Sequence, residues 1–158
     1  MRQMLLSFKP EIFDLIRSGK KIFEYRYQFS EEEVQAYMYV SKPVQQIVGC
    51  VHLGKKISLL DWKERYCDDK RALKRRDEYM ERNNNFVMPI YRFSMTETIP
   101  LSKLKQDLDK FIIPQSYYYL DNFVELQDYI KKCATYTGEV IENKFDNIKS
   151  EDICKKSY

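Results

Sequence analysis

The hydrophobic pattern at the start of the chain predicts a strand, a short helix and a second strand. Between Pro10 and Gly19 the apolar side chains recur at helical spacing, which indicates an amphipathic helix. Pro10 suits the first helical position, where its missing N–H needs no partner. Gly19 suits the end of the helix because glycine accepts a positive φ without strain. The apolar stripe of this helix consists of Ile12, Phe13, Leu15 and Ile16.

The segment after Gly19 predicts a strand that carries charge on one face. Period-2 alternation places Ile22, Glu24 and Arg26 on one face and three aromatic residues on the other. The same alternation places Lys21 on the aromatic face of the strand. It must therefore precede the regular strand, or lie at a bulge, if it is to join Glu24. A unit that packs a helix and then presents both signs of charge is a plausible floor for a polar cleft.

Further strands are predicted where β-branched and aromatic residues cluster. The strands at 22–27, 34–40 and 46–55 are expected to form a curling antiparallel sheet, and another strand is expected at 89–99. Gly49 indicates a bulge or a close approach of two backbones, and so does Gly54.

A dense run of both charge signs at about 60–85 predicts a solvated helix or helix pair packed by one thin apolar stripe. Asp61 is its candidate N-cap and Trp62 its candidate anchor. The basic cluster within 70–76 is interpreted as a solvated face, because acidic residues are interleaved with it. The cluster consists of Lys70, Arg71, Lys74, Arg75 and Arg76.

Two more helices are expected, at 100–108 with Ser102 as cap and at 122–132 with Asp121 as N-cap. Residues 136–158 are polar and are expected to form a loosely ordered tail.

Composition narrows the class of protein. A chain of 158 residues with 44% hydrophobic positions can bury one core and predicts a single domain. The net charge of +3 permits nucleic-acid binding without indicating it. No apolar run is long enough for a membrane span or a secretory signal, so a cytoplasmic protein with no membrane partner is expected. The cysteines Cys50, Cys67, Cys133 and Cys154 have no metal-type spacing, which favours reduced thiols, no metal site and no cofactor.

The run S-F-K-P-E-x-F-x-L-I-x-S-G-K-K-x-x-E-x-R at 7–26 resembles the N-terminal signature of the ASCH domain family. The family core, G-x-K-x-x-E-x-R, is matched by Gly19, Lys21, Glu24 and Arg26. The stretches 43–54 and 114–116 also resemble the family, so the likeness spans roughly residues 4–120, with a gap around 63–87.

The ASCH family is related to the PUA domains, small β-barrels that often bind RNA. The resemblance implies an α+β fold, namely a PUA-like (ASCH-type), mainly antiparallel β-barrel with flanking helices. We therefore expect an ASCH/PUA-like domain over 1–135, with the charged helical insertion at about 60–85, and a polar C-terminal tail over 136–158.

The resemblance also implies a polar cleft that binds RNA or a nucleotide-like small molecule. Lys21, Glu24 and Arg26 would line it. On the pattern alone, a partly buried ion pair that fixes the strand is the better interpretation, and the resemblance favours a ligand site instead. The other candidate ligand-binding residues are Lys9 and, on the loop after Pro114, Gln115, Ser116 and Tyr117.

An enzymatic alternative also follows from the resemblance. Some small ASCH proteins are amidohydrolases that act on N4-acetylated cytidine, with a Thr nucleophile at the position of Glu24 and the motif lysine beside it. Here Lys21 and Glu24 would be catalytic if the protein is an enzyme, with the carboxylate as a base that activates water. The later Glu of those members has no assigned counterpart, and Glu78 and Glu81 are the candidates.

Two further sets of side chains have structural and functional interpretations. Tyr117, Tyr118 and Tyr119 either offer a stacking face for a base or pack into the barrel and its rim, and packing is the expectation for each one. His52 lies in a predicted strand, where a single histidine is expected to be structural.

Overall fold

A computed structural model describes residues 1–62 and 69–154. Within them, an eight-stranded mixed sheet curls into a half-barrel flanked by four α-helices. The strands are β1 (Arg2–Phe8), β2 (Phe23–Arg26), β3 (Val34–Val40), β4 (Gln46–Leu53), β5 (Ile57–Ser58), β6 (Phe86–Pro100), β7 (Tyr117–Tyr119) and β8 (Tyr136–Glu142). The helices are α1 (Pro10–Arg17), α2 (Lys70–Glu81), α3 (Leu101–Asp107) and α4 (Val124–Cys133). The expected α+β fold with a PUA-like barrel is thereby confirmed.

Strand β6 organises the sheet. The strand order is β2-β6-β4-β3-β1-β7, and β5 and β8 also pair with β6. Of the three strands expected to form one antiparallel sheet, β3 and β4 pair as expected, whereas β2 pairs with β6 and not with β3. Strand β3 pairs with β4 in antiparallel fashion and with β1 in parallel. The parallel pairing is possible because the connection through α1 and β2 is long enough to return the chain to the starting end of the sheet.

Helix α1 forms as the sequence predicts. Pro10 occupies its first turn, and Gly19 follows its end with φ of 73°. Phe13 and Ile16 are buried against the sheet, where the Phe13 ring meets the edge of Phe93 with 6.0 Å between centroids. The apolar stripe thus fixes the helix across the barrel.

Two glycines allow close packing in β4 and just after it. A Cβ atom on Gly49 would lie 2.6 Å from the backbone oxygen of Ser94, and one on Gly54 would lie 2.6 Å from the Pro89 ring. The register of β4 against β6 also shifts between Ile47 and Gly49. The predicted close approaches and bulge are confirmed.

The predicted caps of α3 and α4 are wrong. Ser102 lies inside α3, which follows Pro100 and has no side-chain cap. Helix α4 begins after Phe123, also without a side-chain cap. Asp121 instead forms an ion pair with Arg2, with 3.0 Å between the charged atoms.

Residues 136–142 are not loosely ordered, so that expectation is wrong. They form β8, which pairs with the edge of β6 from Arg92 to Thr96. Its side chains are mostly exposed, so the sequence carries little apolar signal, and backbone pairing to the long β6 edge holds the strand. Further along, Ile153 and Cys154 are buried. The division of the chain at residue 135 stays a prediction.

Asp69 is the N-cap of helix α2, and its carboxylate accepts hydrogen bonds from the N–H groups of Arg71 and Ala72. Asp61, the predicted cap, lies in a 3-10 helix over Leu59–Trp62. Residues 63–68, which include Cys67, and the side chain of Trp62 lie outside the described residues, so the predicted anchor and the predicted helical start at 63–66 are not addressed.

The basic cluster of α2 is only partly a solvated face. The Arg75 guanidinium donates to the carbonyls of Ser150 (2.5 Å) and Ile153 (3.2 Å), which ties α2 to the C-terminal segment. The Arg76 side chain is only 11% exposed. Helix α2 is therefore packed on more than a thin stripe. None of the described helices has the length and apolar character that a membrane crossing needs.

Candidate ligand-binding site

A cleft of about 640 Å³ opens where α1, β2 and the end of α2 meet. Its apolar surface comes mainly from α1 and from the end of β1, and several of its polar groups come from the segment after Gly19 and from the end of α2 with the turn that follows it. The charged lining residues are Lys9, Glu11, Lys21, Glu24, Arg26 and Arg82, and the other polar or aromatic ones include Tyr25, Tyr27, Tyr79, Asn84 and Gln115.

Lys21, Glu24 and Arg26 form a compact cluster at the cleft. Lys21 precedes β2, which is one of the two positions that the alternation of the strand allows if Lys21 is to join Glu24. Its backbone N–H donates to the carbonyl of Leu15. Its ammonium lies 3.5 Å from Oε2 of Glu24, and Nε of Arg26 lies 2.9 Å from Oε1. The three side chains are 11%, 8% and 18% exposed, so the charges act in a poorly solvated environment where their interactions are strong.

Arg26 joins three parts of the chain. Besides the bond to Glu24, its guanidinium donates to the carbonyl of Ser7 at 3.0 Å and to the hydroxyl of Ser116 at 3.4 Å. The side chain thereby connects β2 to the end of β1 and to the loop before β7. Protein acceptors already engage these donors. The main role of the Arg26 guanidinium is therefore to hold the Glu24 carboxylate in place rather than to bind a ligand.

One oxygen of Glu24 has no hydrogen-bond donor among residues 1–62 and 69–154. The Lys21 ammonium forms an ion pair with Oε2 at 3.5 Å. A buried carboxylate oxygen without a donor is costly, and such groups are uncommon in folded proteins. Glu24 lines the cleft, and its Oε2 is a buried, negatively charged acceptor whose neighbour is the Lys21 ammonium.

Burial changes the protonation behaviour of the cluster. Burial lowers the pKa of Lys21 below its usual 10.5, and the charge of Glu24 opposes this effect. Burial also raises the pKa of Tyr79 to about 12. Lys21 thus gives up its proton more readily than an exposed lysine, beside a carboxylate that can accept one.

The other predicted site residues separate into two groups. Lys9 and Gln115 line the cleft. The Ser116 hydroxyl accepts from Arg26, and its carbonyl accepts from the N–H of Ser7. The ring of Tyr117 packs on Phe29 instead, with centroids 5.2 Å apart, and Tyr117 is not part of the described cleft lining.

The remaining candidates lie elsewhere. The Tyr118 hydroxyl donates to the carbonyl of Ile112, and the Tyr119 ring lies under the guanidinium of Arg2. His52 lies 2.9 Å from a carboxylate oxygen of Glu33, as expected of a structural histidine with a partner. Glu78 and Glu81 are not among the described cleft-lining residues.

Sequence reasoning missed the contribution of α2 to the cleft. Tyr79, Arg82 and Asn84 line it, although they lie in the segment where no family pattern was found. The available signal was the pair of apolar positions at Tyr79 and Met80, which pack against the buried cluster that includes Tyr25. That signal predicts that the end of the helix packs on the core, but it does not predict that the helix contributes to this cleft.

Solved structures identify the class of fold. No protein-family model and no curated protein matches the chain. A crystal structure of ASCH from Zymomonas mobilis matches with a TM-score of 0.61 and 21% sequence identity, covering 85% of this chain and 97% of that one. Two mutant forms of the same protein give TM-scores of 0.58 and 0.55 at 20% and 21% identity; they cover 81% and 79% of this chain and 98% and 96% of theirs.

The protein is thus an α+β protein with a PUA-like barrel. Its particular fold is the ASCH fold, and the resemblance seen in the sequence is confirmed at the level of the fold.

Proposed function

We propose that the cleft binds RNA or a nucleotide-like ligand, with Glu24 as the group that recognises the base. The Glu24 carboxylate carries this proposal, because it lines the cleft and one of its oxygens accepts no hydrogen bond from the described residues. Adenine, cytosine and guanine carry exocyclic amino groups, and a buried carboxylate at a cleft is a suitable acceptor for such N–H donors.

The walls of the cleft support the same proposal. Ile12 and Leu15 give an apolar side from α1. Tyr27 also lines the cleft and is 56% exposed, so its ring is available for stacking. Stacking of a base on an aromatic ring contributes roughly 1–3 kcal/mol in single-strand binders. Gln115, whose amide both donates and accepts, would complete the polar edge.

The charge balance of the cluster favours a polar or anionic ligand. Two cations, Lys21 and Arg26, share one carboxylate in a poorly solvated place. While Lys21 is protonated, the cluster carries two positive charges and one negative charge, and this balance disfavours a cationic ligand. Arg26 would act here as a positioning residue that fixes Glu24, since its own donors face protein acceptors.

A second candidate is hydrolysis of an N-acylated nucleoside in the same cleft. The lowered pKa of Lys21 beside a carboxylate favours it, because burial makes the Lys21 ammonium a better proton donor than an exposed lysine. Glu24 would take a proton from a water molecule as that water attacks the acyl carbonyl. The amide C–N bond would then break as the nitrogen receives a proton through Lys21, giving a carboxylic acid and the free amino group of the base.

The test is titration of the purified protein with single-stranded RNA and with ribonucleosides, alongside the Glu24→Gln variant. The amide replaces the carboxylate oxygen with a poorer acceptor, so we expect a loss of about tenfold or more in affinity, ~1.4 kcal/mol. Glu97→Gln, an exposed glutamate on β6, is the matched control and should bind as the wild type does. Unchanged binding by Glu24→Gln, or a large loss of stability with normal binding, would rule out Glu24 as the recognition group.

Turnover is followed separately with an N-acylated cytidine. Release of the free nucleoside that disappears in both Lys21→Met and Glu24→Gln would establish the hydrolase. Tight binding without release would leave the binding function alone.

A further inference from the structure

The end of α2 is fixed next to the Glu24 cluster. The N–H of Arg82 donates to the carbonyls of Glu78 and Tyr79, and the N–H of Asn84 also donates to Tyr79. The N–H of Asn85 then donates to the carbonyl of Arg26 at 3.2 Å. This turn is therefore tied to the strand that carries Glu24 and Arg26, so its backbone holds a defined position at the cleft.

Arg82 is a cation without a counter-charge in the described part of the chain. It lines the cleft and is exposed, and no carboxylate within residues 1–62 and 69–154 forms an ion pair with it. The same is true of Lys9, which reaches the cleft from the residue before α1. Glu11 is the exposed acid of the described lining. The buried cations are engaged with Glu24, so the available positive charge belongs to Lys9 and Arg82.

Tyr79 interacts electrostatically with both the Glu24 cluster and Arg82. Its pKa is raised chiefly by burial and in part by the charge of Glu24, while the charge of Arg82 lowers it. Tyr79 is thus within electrostatic reach of both the buried carboxylate and Arg82. Its ring also meets the edge of Tyr25, with centroids 4.7 Å apart. A ligand that extends from Glu24 along Tyr79 would come to Arg82.

We infer that Arg82, supported by Lys9, is a phosphate-binding group, and that the ligand of the cleft is a phosphate ester of a nucleoside rather than a free nucleoside. This inference rests on the proposed function, since Glu24 would hold the base. A guanidinium binds phosphate oxygens through two parallel N–H donors, and a lysine adds a point charge. Arg82 belongs to the charged segment at 60–85. That segment would therefore determine that the cleft prefers a phosphate ester over a free nucleoside.

The test is calorimetric titration of the full chain with the four ribonucleosides, their 5′- and 3′-monophosphates and a single-stranded RNA oligonucleotide. We expect at least one monophosphate to bind about tenfold more tightly than its nucleoside, as one charge-assisted phosphate contact allows. Arg82→Gln should reduce this ratio to less than about threefold and leave nucleoside binding within about twofold. Lys9→Gln should reduce the ratio in part. Arg71→Gln, at an exposed arginine of α2 outside the described cleft lining, should leave it unchanged.

The outcomes separate the two proposals. If nucleosides and monophosphates bind equally well, or if Arg82→Gln preserves the ratio, the phosphate site is wrong while binding that depends on Glu24 stands. If only the oligonucleotide binds and Arg82→Gln weakens it, the phosphate is a diester of RNA; if Arg82→Gln has no effect on it, the phosphate site is again wrong. If no probe binds, both proposals fail.

Discussion

At the scale of single residues, the two oxygens of the Glu24 carboxylate have different surroundings. One oxygen receives the Nε–H of Arg26, and the other has no hydrogen-bond donor in the described structure. The two interpretations of the sequence, an ion pair that fixes the strand and a ligand site, are therefore compatible. The Arg26 pair holds the carboxylate in place, and the second oxygen, buried beside Lys21, is the one proposed to pair with a ligand.

Lys21 gives a prediction about the pH dependence of stability. Its pKa in the folded protein is lowered below 10.5 by burial, so in the range just below pH 10.5 the unfolded chain binds more protons at this site than the folded one. Stability contributed by Lys21 should therefore rise as the pH increases through that range. The free energy of unfolding of wild type minus that of Lys21→Met should increase from about pH 7 to about pH 10.

The measurement is denaturant unfolding of both proteins at each pH. Lys74→Met, an exposed lysine on α2, serves as the control and should show no such increase. A difference that stays flat or decreases with pH would show that Lys21 is not held in a poorly solvated position.

At the scale of elements, α1 is the support of the cleft. Its buried face packs on the sheet, and its partly exposed apolar residues form one wall of the cleft. The sequence predicts this helix well because its start, its end and its apolar spacing all agree. The position of α1 against β6 determines where the segment after Gly19 begins.

Phe13→Ala should destabilise the protein by roughly 3–5 kcal/mol, because it removes a buried aromatic ring that contacts Phe93. Val124→Ala, at a position 61% exposed, should change stability by less than about 0.5 kcal/mol. Chemical denaturation of both variants gives the comparison. A loss below about 1 kcal/mol for Phe13→Ala would mean that α1 is not seated in the core.

At the scale of the whole molecule, the chain is only mildly basic. The net charge is +3 over 158 residues, and the cleft concentrates a small number of cations. Affinity for RNA should then come from a few phosphate contacts together with recognition of a base, rather than from a broad positive surface.

Binding of single-stranded RNA should accordingly be weak and moderately sensitive to salt. With two or three phosphate contacts, the logarithm of the association constant should fall with the logarithm of salt concentration at a slope of roughly −1.4 to −2.1. Fluorescence anisotropy across a salt series measures this slope. A slope steeper than about −5 would indicate a wide electrostatic interface outside the cleft, and a slope near zero would exclude phosphate contacts.

The sequence by itself determined the local elements and the inner part of the cleft. Helix α1, the positive φ of Gly19, the position of Lys21 ahead of β2 and the shared face of Glu24 and Arg26 all follow from short-range rules of spacing and backbone geometry. Local rules suffice there because the interacting groups are separated by only a few residues.

Only the tertiary structure decided the partners that are distant in sequence. Pairing of β2 with β6, the bonds from Arg26 to Ser7 and Ser116, and the position of Arg82 beside the cleft depend on how the sheet curls. Strand β8 shows the reason most clearly. The side chains of β8 are mostly exposed, so its hydrophobic pattern does not predict a strand. The strand is held by backbone hydrogen bonds to β6. Backbone donors and acceptors are the same in nearly all residues, so a hydrophobic pattern does not reveal this pairing.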